Sequence, residues 1–156
     1  MQIASPHFAP CEAIPPRYTH EGEDIAPALC WTGVPERTKS LALIVDDPDA
    51  AEPQAPGHAR VHWVIYDIPP TAFGLPEGGR PLPEDAHEGL NDRRCPGWDG
   101  PCLPLGRHRC VFTLYALDTI LPVLPPDADK AAVEKQMQGH VLARAELIGT
   151  CCPHAG

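Results

Sequence analysis

No run of apolar residues in this chain approaches the roughly 18 needed to cross a membrane. The first stretch, Met1 to Pro16, has neither the basic start nor the apolar centre of a secretory signal. The expectation is a cytoplasmic protein without membrane insertion. Positive charge is scarce as well, with Lys and Arg totalling 12 against 21 Asp and Glu, a formal net charge of −9. A field of that sign repels nucleic acid, and the longest basic cluster is Arg93-Arg94, so no nucleic-acid partner is expected. An anionic ligand would need a local positive spot. Serine is nearly missing: Ser5 and Ser40 are the only two, and neither stands in a nucleophile-elbow context. Paired C-x-x-C spacing is absent too, and seven cysteines is an odd number in a chain without an export signal. Reduced thiols are expected rather than a disulfide framework.

What the chain does contain reads as one domain, residues 1–156, long enough to bury a core without disulfide or metal staples. Pro 21 and Gly 13 imply much turn and loop. Leu41–Val45 is a short continuous apolar run that predicts a strand buried on both faces. Further strands are predicted at Ala28–Thr32, Val61–Ile68, Arg109–Leu117 and Ala143–Cys151, the last with the alternative of a helix continuing past Gly139, and extended edge structure at Ile14–Tyr18. Within Val61–Ile68, alternation puts Val61, Trp63 and Ile65 on one face and His62, Val64 and Tyr66 on the other. One helix is expected, from Asp127 through Met137 to about Leu142, and Thr71–Gly106 reads as one long functional loop. The fold class is mainly β: an antiparallel sheet or sandwich with one or two short helices near the C-terminus.

Chemistry concentrates where the Leu41 strand stops, at Asp46-Asp47-Pro48-Asp49. Three carboxylates in four residues repel one another unless donors or cations stabilise them. In isolation Asp47 and Asp49 are turn formers and His62 is a satisfied strand histidine. Together they suggest more, because an acid beside an imidazole fixes its tautomer, raises its pKa and leaves a ring N–H aimed at an anion. Gly100-Pro101 would let backbone amides approach the same anion.

The ordered segments Asp47-Pro48-Asp49-Ala50, His62-Trp63-Val64, Trp98-Asp99-Gly100-Pro101, Gly106-Arg107-His108-Arg109 and Gly139-His140-Val141-Leu142, preceded by Ile25 to Trp31, closely resemble the phosphatidylethanolamine-binding protein family. The likeness is to its bacterial and archaeal branch, often labelled Raf kinase inhibitor-like, and runs from about Phe8 to Thr150. It implies a single antiparallel β-sandwich with an anion-accepting pocket at one end. Residue by residue, it implies ligand-binding roles for Asp47, Asp49, His62, Gly100, Pro101, His108 and Arg109, with Cys110 beside them. Two positions depart from the family: Ala51 where Pro is usual, and Cys110 where an aromatic is usual. A thiol facing the pocket would widen it and remove a hydroxyl donor. The extended C-terminal helix of animal members has no counterpart after Cys152, so kinase regulation is not carried over.

The implied function is binding of a phosphate-bearing small molecule or phospholipid headgroup, without cofactor and without turnover, by a protein that could be a homodimer. The first rival is an interaction protein gripping a phosphorylated partner. The second is a metal protein using Cys95, Cys102, His108 and Cys110, soft ligands whose spacing matches no standard paired site.

Overall fold

The computed structural model describes residues 1–49, 59–101 and 108–151; Ala51, Cys102 and Gly106 fall outside them. The strands are β1 (Gln2–Ala4), β2 (Leu29–Thr32), β3 (Ser40–Asp47), β4 (Arg60–Ile68), β5 (Gly74–Leu75), β6 (His87–Glu88), β7 (His108–Leu117) and β8 (Val141–Cys151). One helix, α1 (Lys130–Met137), precedes β8, and a 3-10 turn spans Pro16–Tyr18. Two antiparallel sheets form, ordered β1-β2-β5 and β6-β4-β3-β7-β8.

β3 lies at the centre of the larger sheet, and its unbroken apolar run follows from burial on both sides. Leu41, Leu43 and Val45 face the small sheet, where Ile3, Leu29, Trp31 and Leu75 meet Trp63, Ile65 and Phe112. Ala42 and Ile44 face the other way, toward Val133 and Met137 of α1. Each of these large side chains contributes about 1.5–3 kcal/mol on burial, so the two apolar faces, not any staple, hold the layers together. The N-terminal segment runs parallel beside the end of β8, the Ile14 amide donating to the Thr150 carbonyl at 2.8 Å and the Thr150 amide to the Glu12 carbonyl at 2.8 Å. Ile14 packs over Gly149, where a Cβ would sit 2.5 Å from its Cγ1.

Several expectations shift by a few residues, each for a local reason. The helix starts at Lys130 rather than Asp127, because Asp129 is its cap and accepts from the Ala132 amide at 3.1 Å. It ends by Met137 because Gly139 takes φ +81°, which turns the chain back into β8. Proline at Pro15 and Pro16 folds the expected edge segment into the 3-10 turn. The long loop contains β5 and β6 as two short edge strands. In β4 the predicted alternation breaks at a bulge: Val45 pairs with Trp63 but Asp46 pairs with Val61, leaving His62 as the extra residue. Val61 therefore joins Val64 and Tyr66 on the helix side, not Trp63 and Ile65.

Candidate functional site

The inward stripes of two neighbouring strands turn polar at the same end of the sheet. On β3 the series Leu41, Leu43, Val45 continues into Asp47; on β7 the series Leu114, Phe112, Cys110 continues into His108. Asp47 is almost fully buried, and its Oδ2 accepts from His108 Nδ1 at 2.9 Å. Its Oδ1 accepts the Asp49 amide at 2.8 Å, an Asx turn that Pro48 helps to fix. The crowded acids are thus each supplied separately. Asp46, on the helix side, takes Lys130 Nζ at 2.7 Å, and Asp49 takes Arg109 through Nε at 2.8 Å and Nη2 at 3.0 Å. The guanidinium holds the Asp49 carboxyl below the usual carboxylate range, and Asp49 in turn raises Arg109.

His62 is wholly buried at the β4 bulge. Its Nδ1 donates to the Asp99 carbonyl at 2.7 Å, while the Asp99 amide donates back to the His62 carbonyl at 2.9 Å. Because a carbonyl can only accept, the neutral ring carries its proton on Nδ1 and presents Nε2 as a lone pair. That Nε2 is buried without a hydrogen-bond partner among the described residues. Burial pushes the imidazole pKa below its ordinary value, outweighing the Asp99 carbonyl. The expectation of an acid-held, pKa-raised imidazole is therefore corrected for His62: the backbone orients it and the shift is downward. The carboxylate-held ring is His108.

Gly100 and Pro101 close the same corner, but their backbone is already engaged. The Gly100 amide donates to Asp24 Oδ1 at 3.0 Å, and the Pro101 carbonyl accepts the His20 amide at 3.1 Å. A side chain at Gly100 would collide with the Asp24 carboxylate and the Tyr18 carbonyl, so glycine is required here for packing against this loop. The amide expected to meet an anion is bonded within the protein instead. Trp98, next in the same loop, stacks on Phe112 at 6.0 Å and lies 6.1 Å from the His62 ring.

The candidate residues divide between two faces. Asp47, His62, His108 and Cys110 belong to the inward side, where Cys110 is fully buried and its thiol pKa is pushed well up, first by burial and then by Cys151. Asp49 and Arg109 face outward, at a separate depression of about 390 Å3 shared with Cys11, Ile148 and Thr150. Cys11, Cys30, Cys95 and Cys110 are free thiols. Cys95 is exposed and Cys110 buried, and Cys102 lies outside the described residues.

Asp99 is the residue that sequence reasoning passed over, although it sits between Trp98 and Gly100 in a quoted motif. Beyond orienting His62, its carboxylate gathers His20 Nε2 at 2.9 Å, Arg93 Nε at 3.3 Å and Arg60 Nη2 at 3.5 Å. His20, Asp24 and Asp99 place ligand atoms within 4.8 Å of one another, the one such grouping of metal-capable side chains among the described residues. Two guanidiniums already balance its charge. The available signal was an acid placed between an aromatic and a Gly-Pro turn, which is too general to single out.

Known proteins share this arrangement of strands and loops. The description "Phosphatidylethanolamine-binding protein" matches residues 4–152. The chain belongs to the phosphatidylethanolamine-binding protein family. A UPF0098 protein of Methanothermobacter thermautotrophicus is 52% identical over 140 residues, covering 87% of this chain and 88% of that protein. Another from Aquifex aeolicus is 42% identical over 153 residues, covering 96% and 86%. The crystal structure of a phosphatidylethanolamine-binding protein homologue from Chlamydia trachomatis superposes with a TM-score of 0.88 at 36% identity, covering 96% of this chain and 95% of that one. Escherichia coli YbcL gives 0.88 at 30% identity, covering 97% and 98%. Among the described residues, no helix is long and apolar enough to cross a membrane.

Proposed function

We propose that this family member binds phosphate-bearing small molecules, phospholipid headgroups among them, at the end of the sheet formed by Asp47, His62 and His108. The observation that carries the reading is the His62 Nε2, a polar atom buried without a partner among the described residues, at the point where two core stripes become polar. Such an atom costs about 1–3 kcal/mol unless something completes its hydrogen bond. A phosphate can do so in two ways. Its monoprotonated form donates P–OH to the lone pair, or the imidazole takes up a proton and donates to the anion. Either route couples binding to one proton, so affinity falls as pH rises.

Binding without turnover is part of the proposal. Ser5 donates to the Ala28 carbonyl and Ser40 to the Thr119 carbonyl, both away from this end, and the Cys110 thiol is held protonated by burial. Neither serine nor the Cys110 thiol, among the described residues, is therefore placed as a nucleophile for the acid and imidazole. A reducing, cytoplasmic setting fits the free thiols, and the same surface charge of −9 makes nucleic acid a poor partner.

Titration calorimetry with phosphoethanolamine and with its glyceryl phosphodiester tests the reading. Both should bind, both more weakly at pH 8 than at pH 6, the diester through protonation of the imidazole alone because it brings no proton of its own. His62→Gln should lower affinity by about ten-fold to a hundred-fold, the worth of one charge-assisted bond. Binding indifferent to His62→Gln and to Asp47→Asn would place the phosphate elsewhere. Conversion of the diester to free ethanolamine would overturn binding without turnover.

A further inference from the structure

A second depression lies at the other end of the same sheet. From Ser40 to Asp47, β3 spans seven steps, so this depression is about 23 Å from the imidazoles. It measures about 530 Å3, within the usual range for a small-molecule site. Its walls come from the start of β3, the end of β4, the loop before β6 and the loop after β7. Tyr66, Leu121 and Val123 supply apolar surface, and Val123 is fully exposed at the lip.

The polar groups inside it have one predominant sign. Asp67 and Asp85 contribute two carboxylates against a single Lys39, with His87 beside Tyr66 at a ring separation of 5.5 Å. Asp67 sits at a second bulge of β4, where Leu43 pairs with Ile65 and Leu41 with Ile68. Its backbone is in the left-handed region at φ +56°. Asp67 lines the depression, and its Oδ1 accepts the amide of Leu121, another lining residue, at 3.0 Å, one bond for a group with four acceptor sites. Burial raises the Asp67 pKa, the mark of a carboxylate short of stabilising charge. Asp85 is also left-handed, at φ +69°.

We infer that this depression is a second ligand site, and that it takes a small organic amine with an apolar body. The body lies against Tyr66, Leu121 and Val123, and the ammonium meets Asp67 and Asp85. An aromatic ring beside a carboxylate pair suits a cation better than a neutral or anionic group, because ring face and carboxylate both carry negative potential. The overall charge of −9 adds to the same preference. This inference does not depend on the phosphate reading, since no residue is shared between the two ends.

The test is amide chemical-shift mapping with phenethylamine, with 2-phenylethanol as its neutral counterpart and phenylacetate as its anionic one. Phenethylamine should give saturable shifts at residues 39–41, 66–68 and 120–124 and leave the amides of His62, Asp99 and His108 unmoved. The alcohol should bind at least ten-fold more weakly and the acid not at all. Asp67→Asn keeps the Leu121 bond and should lower amine affinity about ten-fold. Val123→Lys, at an exposed position outside the core, should do the same by repulsion. Equal binding of amine and alcohol would reduce the depression to an apolar groove and overturn the inference. So would shifts that map to the imidazole end, or no saturable shift at millimolar amine.

Discussion

The two ends of the five-stranded sheet are built from the same three strands, yet they treat polar groups in opposite ways. At the Asp47 end, acid and imidazoles continue the buried inward stripes, and each is oriented by a fixed partner: Asp47 by the Asp49 amide and His108, His62 by the Asp99 carbonyl. At the Tyr66 end, Asp85 and His87 stand exposed on apolar walls, while Asp67 accepts the Leu121 amide. Low dielectric makes the first arrangement rigid and costly to disturb, because every lost partner leaves a desolvated group behind. Water near the second arrangement makes it tolerant. The difference shows how one alternation can produce either a preorganised site or an adaptable one, depending on whether the stripe reaches solvent before its polar residue.

The largest expected consequence is in stability. Asp47→Ala removes the acceptor from the His108 Nδ1–H and from the Asp49 amide, and should destabilise the fold by about 1–3 kcal/mol. Asp85→Asn, at the exposed end and compatible with the left-handed backbone there, should stay within about 0.5 kcal/mol of the parent. Urea denaturation of both variants checks this, and equal losses would erase the contrast between the ends.

A smaller effect concerns acid. The folded-state pKa of His62 is depressed below its unfolded value of about 6.5, so the unfolded chain binds the extra proton first as pH falls. Stability from burying the neutral ring is complete above about pH 6.5 and is lost as pH falls toward the depressed folded value. For one group the slope is at most about 1.4 kcal/mol per pH unit. His62→Leu should flatten that part of the stability profile; an unchanged difference between pH 7 and pH 5 would mean the ring is not buried neutral.

The smallest effect belongs to the outward pair. Arg109 and Asp49 are bidentate but solvated, and Arg109→Ala should move the denaturation midpoint little, with any difference vanishing at about 1 M salt. A loss that survives high salt would join this pair to the buried cluster. Its screening would set it apart.

The strands at Leu41–Val45, Val61–Ile68 and Arg109–Leu117 were readable because apolar runs and alternation are local properties of the chain. The family likeness located Asp47, His62 and His108 for the same reason: their motifs are contiguous. What could not be read was orientation. The bulge at His62 depends on how β3 and β4 register, and that register moved Val61 to the other face. The Asp99 carbonyl that sets the His62 tautomer comes from a loop 37 residues away in sequence. The split of Asp49 and Arg109 from Asp47 and His108 arises where Asp47 caps its own turn, which sends the next acid outward. Composition carries no signal for any of these, since each depends on a partner brought close only by folding.

The central claim, that the buried Nε2 of His62 is where phosphate is received, is tested most directly by imidazole 15N resonances recorded with and without phenyl phosphate near pH 6.5. In the free protein the account predicts a neutral ring protonated on Nδ1, with Nε2 at the position of an unbonded lone pair. On addition of ligand the His62 Nε2 should move far toward the protonated or hydrogen-bonded range while Nδ1 stays nearly fixed on the Asp99 carbonyl. Saturable phosphate binding that leaves the His62 Nε2 resonance where it was would contradict the account.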